Sequence, residues 1–371
     1  MQIQCEIKNR SVEERQTLTE WQTGRWHPQL PERALQCALA NPSADNLYLA
    51  LKIHHALREP DADSLAAVET LMCQSTHQFF WSSLSLRLLC AYLQSGRMEA
   101  AHSVVQRYMP GKPNVLATLR ARRFPTALAF FTEQYEHLLN NKLQRQAKLA
   151  QRLLRLKKSV DERLFLDLHS NKPDNNATPV TVAVVGNAPS LLDVPRGRHI
   201  DEHDVVVRFN TPVLTEKYQL YSGQRTDVWV LSPNVARKVP LPNVQTMIVS
   251  GINILAGESG YWQHLAKYNG ERQLALFRQE IWYQLAARLQ APPTAGLLLL
   301  TSLARTKGLR VSAFGFSGKC NVSSVDTNAL KLSVSRGPGV NHYADSQSAS
   351  TRHNWAAEAE MLTEWHKTTK G

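Results

Sequence analysis

Five short apolar runs mark the second half of this chain: TVAVVG (181–186), VVVRF (205–209), TDVWVLS (226–232), QTMIVSG (245–251) and RVSAFGF (310–316). All are short and apolar, and the first four are rich in β-branched residues, the pattern of strands buried on both faces. Helical spacing runs between some of them, notably over 273–289 and 295–307. Strands that alternate with helices dictate an α/β layer with a mostly parallel sheet, in which ligands sit beyond the carboxyl ends of the strands.

The preceding half is different. From about residue 32 to 168 apolar residues recur at spacings of three and four, which predicts an all-α domain. Within it, LSLRLLCAYLQSGRMEAAHSVVQRYM (84–109) reads as two short helices around Gly96, with Ala100 and Ala101 small enough for close packing. Ala66 and Ala67 lie 34 positions earlier, the period of tetratricopeptide hairpins, so the segment resembles such repeats. An irregular helical bundle accounts for the same spacing. NKPDNNATP (171–179) is polar, turn-rich and aperiodic, and reads as a linker. The expected division is therefore 1–170, 171–179 and 180–371.

The net charge of +12 favours anionic partners: phosphate esters, acidic sugars, nucleic acid or an anionic membrane. Nucleic acid gains no support from an aromatic-rich basic sheet or a binding motif. Residues 142–158 hold seven basic residues and no acidic one, and Arg145, Lys148, Arg152 and Arg155 share a helix face. Leu139, Leu143, Leu153 and Leu154 lie towards another. Such a helix can rest on anionic lipid or form the solvated side of a core helix. No apolar run reaches the roughly 18 residues of a spanning helix, and MQIQCEIKNR lacks the apolar core of a signal peptide. Five dispersed cysteines without a CxxC pair suit free thiols in a reducing compartment.

The first strand ends in Gly186-Asn187, a turn that allows close backbone approach and offers an amide to a phosphate or ribose. It is not the GxGxxG of a dinucleotide site. IDEHDVVVRFN (200–210) follows, with Arg208 and Asn210 at a strand end, and then QRTD (224–227). Together VAVVGNAPSL and IDEHDVVVRFN resemble the large sialyl motif of the family 29 glycosyltransferases. PPTAGLLLLTSLARTKGLRVSAFGF (292–316) is similar to the small motif, HYAD (342–345) to the third and HNWAAE (353–358) to the very short one.

The resemblance implies a Rossmann-like GT-A-variant domain with a mostly parallel sheet. It implies inverting, metal-independent transfer of sialic acid from its cytidine monophosphate ester, CMP-sialic acid, to a glycan or glycolipid hydroxyl, with no cofactor. CMP-Kdo, an ester of a related acidic sugar, fits the same motifs, and an inactive scaffold is a further alternative. His353 is assigned the general base, and His342 the stabilisation of the departing phosphate. Donor contacts are assigned to Gly186, Asn187, Ser190, Arg208, Asn210, Thr294, Ala295, Gly296, Gly315 and Phe316. Glu358, five residues beyond His353, lies roughly 140° away on a regular helix and reads as structural or acceptor-side. DAD (61–63), a metal signature in other glycosyltransferases, reads as a turn between helices.

Animal relatives join the large and small motifs by a disulfide and carry an amino-terminal anchor. Here Val182 stands at the first cysteine position, and the second falls near Gly308. These departures imply a bacterial-type cytoplasmic enzyme of capsule or lipopolysaccharide synthesis, peripheral at the inner membrane through the 142–158 helix.

Overall fold

The computed structural model describes residues 10–74, 82–111, 121–160, 164–165, 179–210, 212, 214, 216–232, 244–251, 262–263, 265, 273–304, 306, 308–316 and 352–369. The chain forms two compact units: one of Met1–Leu156, Ile252–Lys267 and Ala286–Ala291, the other of Lys157–Gly251, Tyr268–Leu285 and Pro292–Gly371. Most of the 171–179 segment expected to link two domains lies outside the described residues.

The first unit is helical: α1 (Val12–Thr23), α2 (Leu30–Ala40), α3 (Ala44–Leu57), α4 (Ala62–Gln74), α5 (Ser83–Gln94), α6 (Met98–Tyr108), α7 (Pro125–Gln134) and α8 (Asn141–Leu156). Local signals set the helix starts. Ser11 and Glu14 form a capping box on α1, and the Ser43 and Ser82 hydroxyls cap α3 and α5. The Ser64 N–H donates to Asp61 Oδ1 at 2.8 Å, so the first aspartate of DAD caps α4. α5 and α6 form the expected pair around Gly96, with Ala101 fully buried. α8 packs on α7 through buried Leu143, Ala147, Ala150 and Leu153.

The second unit is built on a seven-stranded sheet: β1 (Lys157–Ser159), β2 (Val180–Val185), β3 (Val205–Phe209), β4 (Val228–Leu231), β5 (Thr246–Val249), β6 (Gln273–Leu276) and β7 (Leu309–Phe314). The order is β1-β6-β5-β4-β3-β2-β7, and every pairing is parallel. α9 (Gly197–Asp201) links β2 to β3 and α10 (Glu216–Ser222) links β3 to β4. α11 (Gln279–Leu289) and α12 (Ala295–Ala304) precede β7, and α13 (Trp355–Thr369) closes the described chain. β3, β4 and β5 are buried along their whole length, as helices on both faces require. Ala183, Val185, Leu191, Ile200, Val206 and Phe314 form the core cluster under α9.

Two expectations are corrected. Residues 273–276 are strand β6, and the helix read over 273–289 starts only at Gln279. The basic helix ends at Leu156, so Lys157 and Lys158 lie in β1, which extends the sheet beyond β6. Backbone pairing at a sheet edge, which a side-chain pattern does not report, makes a strand of KKS.

Candidate active site

From β2 the chain builds β3, β4, β5 and β6 outward on one side, then places β7 on the other side of β2. The carboxyl ends of β2 and β7 therefore flank the topological switch point, where ligands of open parallel sheets bind. Gly186 follows β2 and Gly315 follows β7. The Gly186 N–H donates to the Phe314 carbonyl at 2.7 Å, and the Ala188 N–H to the Gly315 carbonyl at 3.0 Å. A Cβ on Gly186 would collide with the Gly315 carbonyl, and Gly315 has φ +65, where a side chain is strained.

Phe316 then turns its ring over Gly296 at the start of α12, where an added Cβ would lie 2.7 Å from Cε1. The same ring meets Phe209 of β3 edge-on, centroids 6.0 Å apart. Thus β2, β3, β7 and the amino end of α12 converge. Two asparagines tie the neighbouring strand ends. Asn187 Nδ2 donates to the Phe209 carbonyl at 3.0 Å, and Asn210 Oδ1 accepts from the Ser232 N–H at 2.9 Å. Asn210 sits at φ 47, a left-handed conformation that asparagine tolerates better than most residues. Ser190 is exposed on the 3-10 turn Pro189–Leu192 that follows.

The amino end of α12 is held by α13. Thr294 caps α12: its hydroxyl accepts from the Leu297 N–H at 3.2 Å. The Thr294 N–H donates to Glu358 Oε1 at 2.9 Å, and the hydroxyl donates to Oε2 at 2.7 Å. Burial pushes the Glu358 carboxyl up to about 7, against the two Thr294 bonds that favour its charge. Two residues earlier, the Pro292 carbonyl accepts from His353 Nδ1 at 2.7 Å. His353 and Glu358 thus grip one short segment, although a regular helix would set them far apart. His353 stands outside the helix, before Asn354, whose Oδ1 takes the Ala357 N–H at 3.2 Å as the cap of α13. α13 runs from Trp355 through Trp365 to Thr369.

A donor to the Pro292 carbonyl must carry the proton, so Nδ1 is the protonated nitrogen and the neutral ring has its lone pair on Nε2. The His353 ring stacks edge-on against Trp355, centroids 5.2 Å apart. The N–H groups of Ala295 and Gly296 open α12, where a helix has no acceptors of its own and its dipole favours an anion.

Arg208 goes elsewhere. Phe209 faces Phe316, and Arg208, one residue earlier on β3, points to the opposite face. There its guanidinium is 1% exposed and donates to the carbonyls of Arg225 (2.8 Å) and Ser222 (2.6 Å), with Asp201 at 3.9 Å. Burial lowers it to about 10, so it stays charged at neutral pH. His342 lies outside the described residues.

Three aspartates, Asp201, Asp204 and Asp227, prove to be braces that residue spacing does not reveal. Asp201 accepts from the Gln224 and Arg225 N–H groups, and Asp204 from the Thr181 N–H and hydroxyl. Asp227 accepts from the Val206 N–H at 2.7 Å and from Arg225 Nη2 at 2.8 Å. Together these bonds lock β2, β3 and β4 in register ahead of the site.

Residues 119–255 match the model of glycosyltransferase family 29 (sialyltransferase), a span that holds the β2–β3 motif. Over this span the chain is similar to glycosyltransferase family 29. The match covers fewer than half of the 371 residues and ends ahead of α12 and α13. A curated relative, sialyltransferase-like protein 5 of Oryza sativa subsp. japonica, is 34% identical over 79 residues, 21% of this chain and 16% of that protein. The chain thus spans a small part of that relative. Two crystal structures of a mammalian sialyltransferase, one in complex with Gal-beta-1-3GalNAc-ortho-nitrophenol, are each 18% identical. Their TM-scores are 0.37 and 0.38, over 56% and 60% of this chain and 82% of each of theirs.

Proposed function

We propose that this chain is an inverting glycosyltransferase that moves an acidic ulosonic sugar, sialic acid, from its cytidine monophosphate ester to a glycan or glycolipid hydroxyl. The observation that carries the reading is the His353 bond to the Pro292 carbonyl, two residues from the cap of α12. It orients a neutral imidazole, with a lone pair on Nε2, beside a helix start that suits a phosphate.

In this reading Nε2 takes the acceptor's proton as its oxygen bonds to the anomeric carbon. The bond from that carbon to the phosphate oxygen breaks, and cytidine monophosphate leaves with the electron pair. The Ala295 and Gly296 N–H groups and the α12 dipole stabilise the departing charge, a task shared with His342 and left to no metal. Among the described residues, Asn187 Oδ1 and Asn210 Nδ2 are the amide ends that bond no neighbouring strand, and they are assigned to the ribose-phosphate. The free thiols of Cys37, Cys73 and Cys90 suit a reducing, cytoplasmic setting. The acceptor assigned in this reading is a capsule or lipopolysaccharide glycan.

The test is transfer and donor hydrolysis with CMP-sialic acid and with CMP-Kdo, for the intact chain and His353→Ala. Turnover of the first donor alone supports sialyl transfer, and turnover of the second alone replaces it with Kdo transfer. Neither donor turned over, or full activity in His353→Ala, overturns the mechanism.

A further inference from the structure

We propose that the exposed side of α8 is an electrostatic docking surface for an anionic lipid bilayer, a function independent of the transfer reading. α8, NKLQRQAKLAQRLLRL, has five cations and no anion in 16 residues, whereas a merely solvated helix usually mixes signs. Arg145, Lys148, Arg152 and Arg155 are all exposed. At 100° per residue they fall within an arc of roughly 80°, along a rise of about 15 Å. Lys142 flanks them, also exposed. Among the described residues the only acidic partner of these five is Glu136, 3.4 Å from Lys148, and both side chains of that pair are exposed.

The other side of the helix decides the mode of contact. Leu143, Ala147, Ala150 and Leu153 are buried on α7 and cannot turn into an acyl layer. The amphipathic character of α8 is spent on the protein core, and contact with lipid is left to headgroup charge. A convex line of long, flexible cations suits a planar anionic surface. α8 has no aromatic side chain on which a base could stack, which disfavours single-stranded nucleic acid.

The experiment is co-sedimentation of the full chain with vesicles of phosphatidylcholine alone and of phosphatidylcholine mixed with phosphatidylglycerol. Binding to the mixed vesicles alone is expected, with release at roughly 0.5 M salt, where screening reaches within a few ångströms. Each neutralised cation should weaken binding about 5-fold, so that Arg145→Gln/Lys148→Gln/Arg152→Gln/Arg155→Gln loses 100-fold or more. The charge-keeping variant Arg145→Lys/Arg152→Lys/Arg155→Lys should bind as the intact chain does. Should circular dichroism show the fourfold variant unfolded, Arg152→Gln and Arg155→Gln singly must each show the smaller loss. Equal binding to both vesicle types, equal binding by the glutamine variants, or preference for a double-stranded DNA fragment over the mixed vesicles overturns the proposal.

Discussion

The Glu358 carboxylate takes both the N–H and the hydroxyl of Thr294, at 2.9 and 2.7 Å, and so fixes the cap of α12 from α13. All four atoms are buried inside the second unit. Glu358→Ala strands two buried donors at a cost of about 1–3 kcal/mol, and the α12 start loosens with it. Glu358→Gln keeps an acceptor for the N–H and offers an amide to the hydroxyl, so its loss should be under half as large. Chemical denaturation of both variants checks this, and equal losses would discard the clamp.

The same pair makes stability depend on pH. The Glu358 carboxyl is raised from 4.5 to about 7 in the folded chain, so between those values the folded state holds a proton that the unfolded state releases. This contribution is fully present below pH 4.5, declines as pH rises, and is gone above about 7. The whole swing is about 3 kcal/mol. Glu358→Gln has no proton to lose, so the stability of the intact chain minus that of the variant should fall from pH 5 to pH 8. A flat difference counts against the shift.

The five apolar runs, the helical half and the glycine turn were legible because burial on both faces, helical period and turn chemistry each leave a local pattern. β6 was not, since QLAL runs with little interruption into the apolar spacing of α11, and β1 has no apolar pattern at all. Of the residues assigned to the site, Gly186 meets Gly315, Phe316 meets Gly296, Asn187 reaches the Phe209 carbonyl beside Asn210, and His353 reaches Pro292, two residues before Thr294. The meeting of Glu358 with Thr294 was not legible, because His353 precedes the helix and no helical angle relates it to Glu358. The roles of Asp201, Asp204 and Asp227 depend on which backbone N–H groups the folded strands leave open, and a sequence pattern does not carry that.

Gly296→Ala places a methyl group 2.7 Å from Phe316 Cε1, so the ring that links α12 to β3 and the glycine turns has to shift. The expected cost is about 1–3 kcal/mol, as for overpacking. Binding of cytidine monophosphate should weaken in parallel, which calorimetry on the folded variant reads. Unchanged affinity would remove Phe316 and Gly296 from the donor site.

Arg208 separates a structural role from a binding one. Its guanidinium satisfies the Ser222 and Arg225 carbonyls at a buried position, and lysine lacks the fork to reach both. Arg208→Lys should cost about 2 kcal/mol in stability. The donor KM of the protein that remains folded should change less than twofold. A stable variant with a raised KM would instead return Arg208 to the donor site.

His353→Asn tests the base without dismantling its setting. An asparagine amide sits near the position of Nδ1 and can still donate to the Pro292 carbonyl, whose bond to His353 is 2.7 Å long. Stability should stay within about 0.5 kcal/mol of the intact chain. No group remains at Nε2 to take the acceptor's proton, so kcat should fall by roughly 10²–10⁴ with the donor KM little changed. The acid limb of the pH–rate profile belongs to the imidazole in this mechanism and should vanish from the residual activity. If kcat survives, or if that limb persists in the variant, the base is another residue and His353 is left as a strut for the α12 loop.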